Sequence, residues 1–345
     1  MTFPAIRQIA LRTELFAITA GLFLYAMLPL ALTNIHSLAY LLFFFFHVTL
    51  QGLAALTSCL RLLQLSQQTG RWGKVFLLVF LLFLIAAAVP GLLPITARDS
   101  LLYHLAVPKM WLEAGKMRMV PWHEWSFFPL MVSLGYAALL RLDLTNLSPF
   151  YNLSFLLIAT GVCARLTFNL TKNPKTALLA ALLLFSLPLN FRLAVEPMAD
   201  HAVLLYFALA FWGATSVDSG NLTKSAAVFT GVSLGLAVSS KYSAFLGAAV
   251  FLPFLALYWS HISRRFHRAL SLTFVAMLIT GCLAAPWLIR NYIWIGNPVH
   301  PFLQSFFNDK SSNLAFLGAI NPLQYRLEIY HESLWEVVFL PLRLF

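Results

Sequence analysis

Long apolar runs alternate with short polar stretches along most of the chain. The apolar runs are 15–33, 38–60, 75–95, 127–142, 150–170, 177–189, 202–217, 226–238, 244–259 and 270–285. An α-helix needs about 20 apolar residues to cross the roughly 30 Å hydrocarbon core of a bilayer. The pattern therefore predicts an all-α polytopic membrane protein with about 9–10 transmembrane helices.

The longest polar interruption, 96–126, predicts two short helices that lie on the membrane surface. Its tryptophans (Trp111, Trp122 and Trp125) suit the interface between lipid headgroups and water. We expect Pro108 as the first residue of the second helix and Gly115 as its C-terminal stop.

Composition excludes two broad classes of protein. Apolar residues make up 60% of the chain and charged residues only 10%, with a mean hydropathy of +0.80, so a soluble enzyme is excluded. Aromatic residues at 15% exclude a disordered chain. The three cysteines lie singly in apolar runs, which favours small buried hydrophobic side chains over a disulfide framework or a thiolate metal site.

The net charge of +11 comes from Lys and Arg between the apolar runs. Such a charge suggests nucleic acid in a soluble protein, but here it indicates cytoplasmic loops and no nucleic-acid partner. The basic residues assigned to that side are Arg61, Arg71, Lys74, Lys172, Lys175, Arg264, Arg265 and Arg268. Arg7 and Arg12 precede the first run without a cleavage site, which predicts an uncleaved first span.

This map places 96–126 outside the cytoplasm and the loop at Lys172 inside. The two intervening runs must then supply an odd number of crossings, so we expect 127–142 to be a tilted or half-inserted helix. The other predicted spans alternate in direction across the membrane. We see no internal repeat in the sequence. The chain divides into two N-terminal helices with their loop (1–74), a membrane module (75–322) and a short amphipathic to apolar segment (323–345).

Two acids lie at the mouths of spans on the predicted outer side. Asp99 and Asp200 each precede an apolar helical stretch, so each is either an N-cap or a group that contacts a cation or a substrate hydroxyl. A charge beside hydrocarbon is costly unless it is paired or functional. His104 follows Asp99 by five residues, about 140° around an α-helix, so the two do not share a face.

Three basic or titratable residues share this predicted outer side. Lys241 and Arg290 each interrupt apolar sequence, and each either binds a lipid phosphate or extends to the headgroups. His300 lies in a proline-rich turn and is either an interfacial polar residue or a ligand.

Five stretches together carry a family resemblance: DSLLYHLAVPK directly after a span, SFFPL, EPMADHAVLLYF, GVSLGLAVSSKYSAFL and PWLIRNYIWIGNPVHPF. Their order and spacing over 75–303 resemble bacterial membrane glycosyltransferases of the GT-C type. That family is related to the protein O-mannosyltransferases and to the lipid A aminoarabinose transferase. The resemblance implies a GT-C-like helical bundle whose first extracytoplasmic loop carries short surface helices.

The resemblance also implies roles for individual residues. Asp99 matches the family's essential acid, Asp200 a second acid in the next outer loop, and Lys241 a lysine that contacts lipid phosphate. His300 corresponds to a metal-coordinating histidine of some relatives, which suggests Mg, Mn or Zn held by Asp200 and His300. Substrate contacts are expected from Lys241, Arg290, His104 and Glu124.

The sequence departs from the family in two places. Relatives often carry an acid and a lysine directly before the paired prolines of the second family helix, where this chain has SFFPL with Glu124 as the nearest acid. Relatives also usually continue through several further spans, so the resemblance predicts a member truncated at its C-terminus.

The resemblance implies sugar transfer at the extracytoplasmic face of a bacterial inner membrane. The partners would be membrane lipid, a polyprenyl-phosphate sugar donor and a glycan, lipid or protein acceptor, with no nucleotide cofactor. Asp99 would be the general base, assisted by Asp200, while Lys241 and Arg290 would hold the phosphate. Two alternatives stay open, a transporter or flippase of lipid-linked saccharides and an inactive relative.

Overall fold

A computed structural model of the chain describes residues 13–216, 222–304, 306, 307, 331, 333, 335 and 336. Within these residues the protein is helical, without a β-strand. The prediction for Arg7 and Arg12 lies outside the described residues, as does nearly all of 323–345.

The described residues form twelve α-helices, numbered here in chain order. They are α1 (Thr13–Asn34), α2 (Leu38–Gln67), α3 (Arg71–Ala88), α4 (Ala106–Glu113), α5 (Met131–Arg141), α6 (Ser148–Thr171), α7 (Pro174–Ser186), α8 (Pro188–Leu193), α9 (Asp200–Thr215), α10 (Lys224–Ser240), α11 (Ser243–Ser263) and α12 (Phe266–Ile295).

Six helices are long and apolar enough to cross a membrane. They are α1, α2, α3 with its 3₁₀ extension to Leu92, α6 with the 3₁₀ turn before it, α11 and α12. The protein is thus a helical membrane protein. The other predicted spans correspond to shorter helices, since α7 has 13 residues, α9 has 16 and α10 has 17.

Contacts between helix ends define two faces of the bundle. At one face, which we call the site face, the α1–α2 turn meets the segment after α4 through hydrogen bonds from Ile35 N to Gly115 O and from Met117 N to Ala31 O. At the opposite face, Trp259 at the end of α11 donates to the carbonyl of Ala214 at the end of α9. Helices α9 and α11 therefore both end at this opposite face.

Helix α5 lies in the run 127–142, for which the sequence predicted a tilted or half-inserted helix, and it does not run from one face to the other. It has only 11 residues, and the side chains of 131–139 are buried in the bundle. Arg141 at its C-terminus donates to the carbonyls of Ile35, His36 and Ser37, which belong to the site face. The segment before α5 also lies at that face. Both ends of α5 are therefore at the site face, and the helix does not cross the bundle.

The surface segment differs in detail from its prediction. A π-helix (Ser100–Leu105) runs directly into α4, so Pro108 is the third residue of that helix rather than the first. Gly115 does follow the helix end, at a φ of +74° that favours glycine. A π-turn inserts an extra residue into the helical repeat and is common at functional sites.

Arg61 was assigned to a cytoplasmic loop, and that assignment is wrong. Helix α2 continues to Gln67, and Arg61 is buried within it. Its Nη1 lies 2.7 Å from Oε1 of Glu14 on α1 and also donates to the carbonyl of Gly161 on α6. Counting basic residues locates a loop only approximately, because it cannot recognise a charge that pairs inside the bundle.

Candidate functional site

An ion pair between Asp200 and Lys241 forms the centre of the candidate site. Lys241 Nζ donates to both carboxylate oxygens of Asp200, at 2.8 Å to Oδ1 and 2.9 Å to Oδ2. Asp200 is the first residue of α9, and Lys241 lies in the short extended break between α10 and α11. The two side chains keep 34% and 31% of their exposure, so the pair is accessible at the site face.

The N-cap interpretation of Asp200 is therefore wrong. The capping position of α9 belongs to Ala199, which makes no side-chain capping bond, while the carboxylate of Asp200 binds the ammonium of Lys241. Lys241 likewise does not simply extend to the headgroups, because its Nζ is bound to a carboxylate. Sequence reasoning placed both residues on one side of the membrane, and the fold brings them into contact.

Asp99 lies in the same electrostatic neighbourhood. Burial, the charge of Asp99 and the charge of Asp200, in that order, raise the pKa of the Tyr103 hydroxyl above its ordinary value. Asp99 occupies the position before the π-helix but makes no capping bond. Within the described residues its carboxylate has no hydrogen bond or ion pair, and its side chain is half-buried. The N-cap interpretation therefore fails for Asp99 as well.

A third acid, Glu196, belongs to this cluster and was not among the predicted site residues. Burial raises the pKa of Glu196, the exposed Arg192 opposes that shift, and Asp99 and Asp200 raise the pKa further. Glu196 precedes Asp200 by four residues in EPMAD. The sequence shows an acid four residues before Asp200. Only the turn between α8 and α9 shows that this acid lies near Asp99 and Asp200.

His104 lies beside the ion pair and is buried. Its Nδ1 is 3.1 Å from Ser133 Oγ on α5, and its Nε2 has no hydrogen-bond partner within the described residues. Burial lowers the pKa of His104 to about 3, Lys241 lowers it too, and Asp200 opposes the shift. The imidazole is therefore neutral at physiological pH, and it packs against the Tyr103 ring at a centroid distance of 4.2 Å.

Arg290 is enclosed by protein groups rather than presented to a ligand. Its guanidinium lies between the Trp287 and Trp294 rings, 4.9 Å and 4.8 Å from their centroids. It donates to Asn291 Oδ1 and to the carbonyl of Phe128. Only 4% of the residue is exposed. This arrangement attaches the segment before α5 to α12 and leaves little of the guanidinium available for a phosphate.

Asn291 links Arg290 to the residue beside Lys241. Its Nδ2 donates to the carbonyl of Phe127 and, at 3.1 Å, to the hydroxyl of Tyr242. Tyr242 follows Lys241 directly, so this network positions the break between α10 and α11 that carries the lysine. Sequence reasoning missed Asn291 and Tyr242, because neither is charged and their partners are distant along the chain.

Glu124 and His300 lie near one another at the edge of the site face. Burial raises the pKa of Glu124 and the charge of His300 lowers it. The His300 ring packs edge-on against Phe127, with centroids 5.0 Å apart.

The predicted metal ligands, Asp200 and His300, have no supporting donor set. The described residues contain no group of three or more His, Cys, Asp or Glu side chains placed to hold a metal ion. Both oxygens of Asp200 accept hydrogen bonds from Lys241. The described side chains therefore do not fit a divalent metal at Asp200, and the metal stays a prediction.

Comparison with known proteins shows a similarity over part of the chain. Residues 134–310 match a family described as a domain of unknown function (DUF8201). The match includes Asp200, Lys241, Arg290 and His300, whereas Asp99, His104 and Glu124 precede it. No curated protein and no solved structure matches the chain. Because the match spans just over half of the 345 residues, the chain belongs to this family of unknown function.

Proposed function

We propose that the protein is a membrane glycosyltransferase with a GT-C-like bundle of about 9–10 spans. It would transfer a sugar from a polyprenyl-phosphate donor to a hydroxyl of a glycan, lipid or protein acceptor, at the extracytoplasmic face of a bacterial inner membrane. The carrying observation is the ion pair of Asp200 and Lys241, with Asp99 in its electrostatic neighbourhood. They are far apart in the sequence, yet Asp200 contacts Lys241, and both acids act on Tyr103.

Asp99, Glu196 and Asp200 differ in their binding partners, and this difference supports distinct roles for the three acids. Asp200 is bound to Lys241, and Glu196 lies 3.9 Å from Arg192, whereas Asp99 has no partner within the described residues. The Asp99 carboxylate is therefore the one of the three that no described cation engages, which leaves it open to the acceptor hydroxyl. In the proposed reaction, the acceptor oxygen forms a bond to the anomeric carbon while the carbon–phosphate oxygen bond breaks. Asp99 takes the acceptor proton.

Lys241 would stabilise the charge on the departing polyprenyl phosphate. It is the one lysine within the described residues that contacts a carboxylate at the site face, and it keeps about a third of its exposure. Charge-assisted hydrogen bonds to phosphate oxygens are stronger than neutral ones. Arg290 positions the segment that precedes α5, since its donors are already engaged by Asn291 and Phe128. No step is assigned to a metal.

Translocation of a lipid-linked saccharide is the second candidate, favoured by polar residues inside the bundle. His47, in the first half of α2, is fully buried and bonds to the carbonyl of Ala20 and the hydroxyl of Tyr151. Gln51, one turn further, donates to Ser154 on α6. Ionisable residues at membrane depth are typical of transport pathways.

One assay separates these functions. Purified protein in liposomes receives a polyprenyl-phosphate sugar labelled in its sugar, together with candidate acceptors. Glycosyl transfer predicts label on an acceptor and release of unlabelled polyprenyl phosphate. Translocation predicts label that moves between leaflets with the donor intact, and either that result or no change at all would contradict the proposal.

The proposed orientation has its own test. Glu113 and Lys172 are exposed and lie at opposite faces of the bundle. Each is replaced by cysteine in a variant from which Cys59, Cys163 and Cys282 have been removed. The proposal predicts that an impermeant thiol reagent labels Glu113→Cys but not Lys172→Cys in intact cells. The reverse pattern would place the site face in the cytoplasm.

A further inference from the structure

The Asp200 carboxylate binds the ammonium group of Lys241 on one side. Both carboxylate oxygens of Asp200 lie within hydrogen-bond distance of Lys241 Nζ, at 2.8 Å for Oδ1 and 2.9 Å for Oδ2. A phosphate that approaches this side of the ammonium therefore competes with the Asp200 carboxylate for Lys241. The pair is accessible for such a replacement, since both side chains keep about a third of their exposure.

We propose that the donor's phosphate displaces Asp200 from Lys241, so that donor binding releases the Asp200 carboxylate for the acceptor hydroxyl. This inference rests on the proposed function and adds an order of binding, with the donor before the acceptor. Asp200 is then a positioning residue in the resting protein and becomes a polar contact of the acceptor only after the exchange.

The local fold allows the exchange without movement of a helix. Asp200 is the first residue of α9, and the partial positive charge at a helix N-terminus stabilises a carboxylate there. Lys241 lies in extended backbone at φ −161° and ψ 144°, between two helix ends. Rotation about side-chain bonds is therefore sufficient to separate the two groups.

The surrounding charges give the exchange a chemical consequence. Asp99, Glu196 and Asp200 are close enough to influence one another or a shared neighbour, and Lys241 is the cation bound to Asp200. When a phosphate engages Lys241, the three acids lose part of that compensating charge. Once it is released from Lys241, the Asp200 carboxylate has both oxygens available to accept a hydrogen bond from the acceptor hydroxyl.

The test measures the affinity of purified protein for a polyprenyl phosphate without sugar. Asp200→Asn removes the competing charge but keeps the shape, and it should tighten binding about two- to fivefold, the range for a partly exposed ion pair. Lys241→Met should weaken binding about ten- to hundredfold. The double variant should bind like Lys241→Met alone, because the exchange needs the lysine.

Glu196→Gln is the matched control. It removes another acid of the cluster that makes no contact with Lys241, so it reports the general effect of negative charge. The exchange predicts a change of less than about twofold for it, smaller than that of Asp200→Asn. Should Asp200→Asn fail to fold, Asp200→Ser removes the same charge and carries the same expectation.

The outcomes distinguish the two proposals. If Lys241→Met weakens binding and Asp200→Asn does not tighten it, or tightens it no more than Glu196→Gln, the exchange is overturned while the phosphate contact stands. If Lys241→Met leaves the affinity unchanged, the phosphate contact of the proposed function fails, and the exchange fails with it.

Discussion

Two acid–base pairs connect different helices within the residues that the structure describes, and the pairs differ in burial and in position. Glu14 and Arg61 lie toward the face opposite the site, with side chains only 3% and 5% exposed, and Arg61 also donates to the carbonyl of Gly161. Asp200 and Lys241 lie at the site face and keep about a third of their exposure. We call Glu14–Arg61 the inner pair, which joins α1, α2 and α6 and is shielded from solvent. We call Asp200–Lys241 the outer pair, which is accessible to a ligand.

Exposure is what gives the two pairs different roles. Two charges in a low-dielectric interior are costly to separate, so the inner pair has one arrangement. A partly exposed pair is weak, because water solvates the separated charges, so a competing anion can replace the carboxylate. The comparison predicts that variants of the inner pair change stability, whereas variants of the outer pair change binding.

The largest effect is expected from breaking the inner pair. Arg61→Met leaves the Glu14 carboxylate buried without its cation and should lower the free energy of unfolding by about 3–5 kcal/mol. Reversible unfolding in detergent micelles measures this loss. The double variant Glu14→Leu with Arg61→Met should recover most of it, because no unpaired charge remains. A single variant as stable as the wild type would remove the distinction between the pairs.

The next effect is a loss of binding at the outer pair. Lys241→Met should weaken polyprenyl phosphate binding by about 1.4–2.8 kcal/mol, or ten- to hundredfold, because it removes the charge that receives the phosphate. Titration of purified protein measures the dissociation constant. Arg61→Met, studied at a temperature where it is folded, serves as the control and should bind like the wild type. Equal losses in both variants would indicate a general disturbance of the bundle.

The smallest effect is the stability cost of the outer pair. Lys241→Met should change the free energy of unfolding by only about 0–1 kcal/mol, since the Asp200 carboxylate it leaves is partly solvated. The same unfolding measurement used for Arg61→Met gives the value. A loss as large as that of the inner pair would mean that the outer pair is structural.

The sequence predicted most helices of this molecule but not the side-chain contacts between them, and the reason is physical. Apolar runs predict helices because the lipid environment demands them. The number of crossings that the basic loops require predicted a tilted or half-inserted helix at 127–142, where the short helix α5 lies. The contacts Asp200–Lys241 and Glu14–Arg61 join residues 41 and 47 positions apart. Such pairs depend on how helices pack, and local periodicity carries no information about that packing.

The π-helix at Ser100–Leu105 shows the same limit on a smaller scale. The 140° separation of Asp99 and His104 assumed a regular α-helix, and the wider turn changes which residues share a face. His104 consequently packs against α5 through Ser133, beside Tyr103 and near the ion pair. Nothing in the residues DSLLYHL distinguishes a π-turn from an α-turn, because both need the same apolar helical composition.

The most direct test of the proposed function is the transfer activity of Asp99→Asn in liposomes with a labelled polyprenyl-phosphate sugar. The asparagine keeps the size of the side chain but cannot accept the acceptor proton, so the rate should fall by about 10²–10⁴-fold. Because Asp99 makes no capping bond or ion pair within the described residues, stability should be nearly unchanged. Glu113→Gln, an exposed acid of the same surface segment, should transfer at the wild-type rate. Full activity in Asp99→Asn would contradict the account.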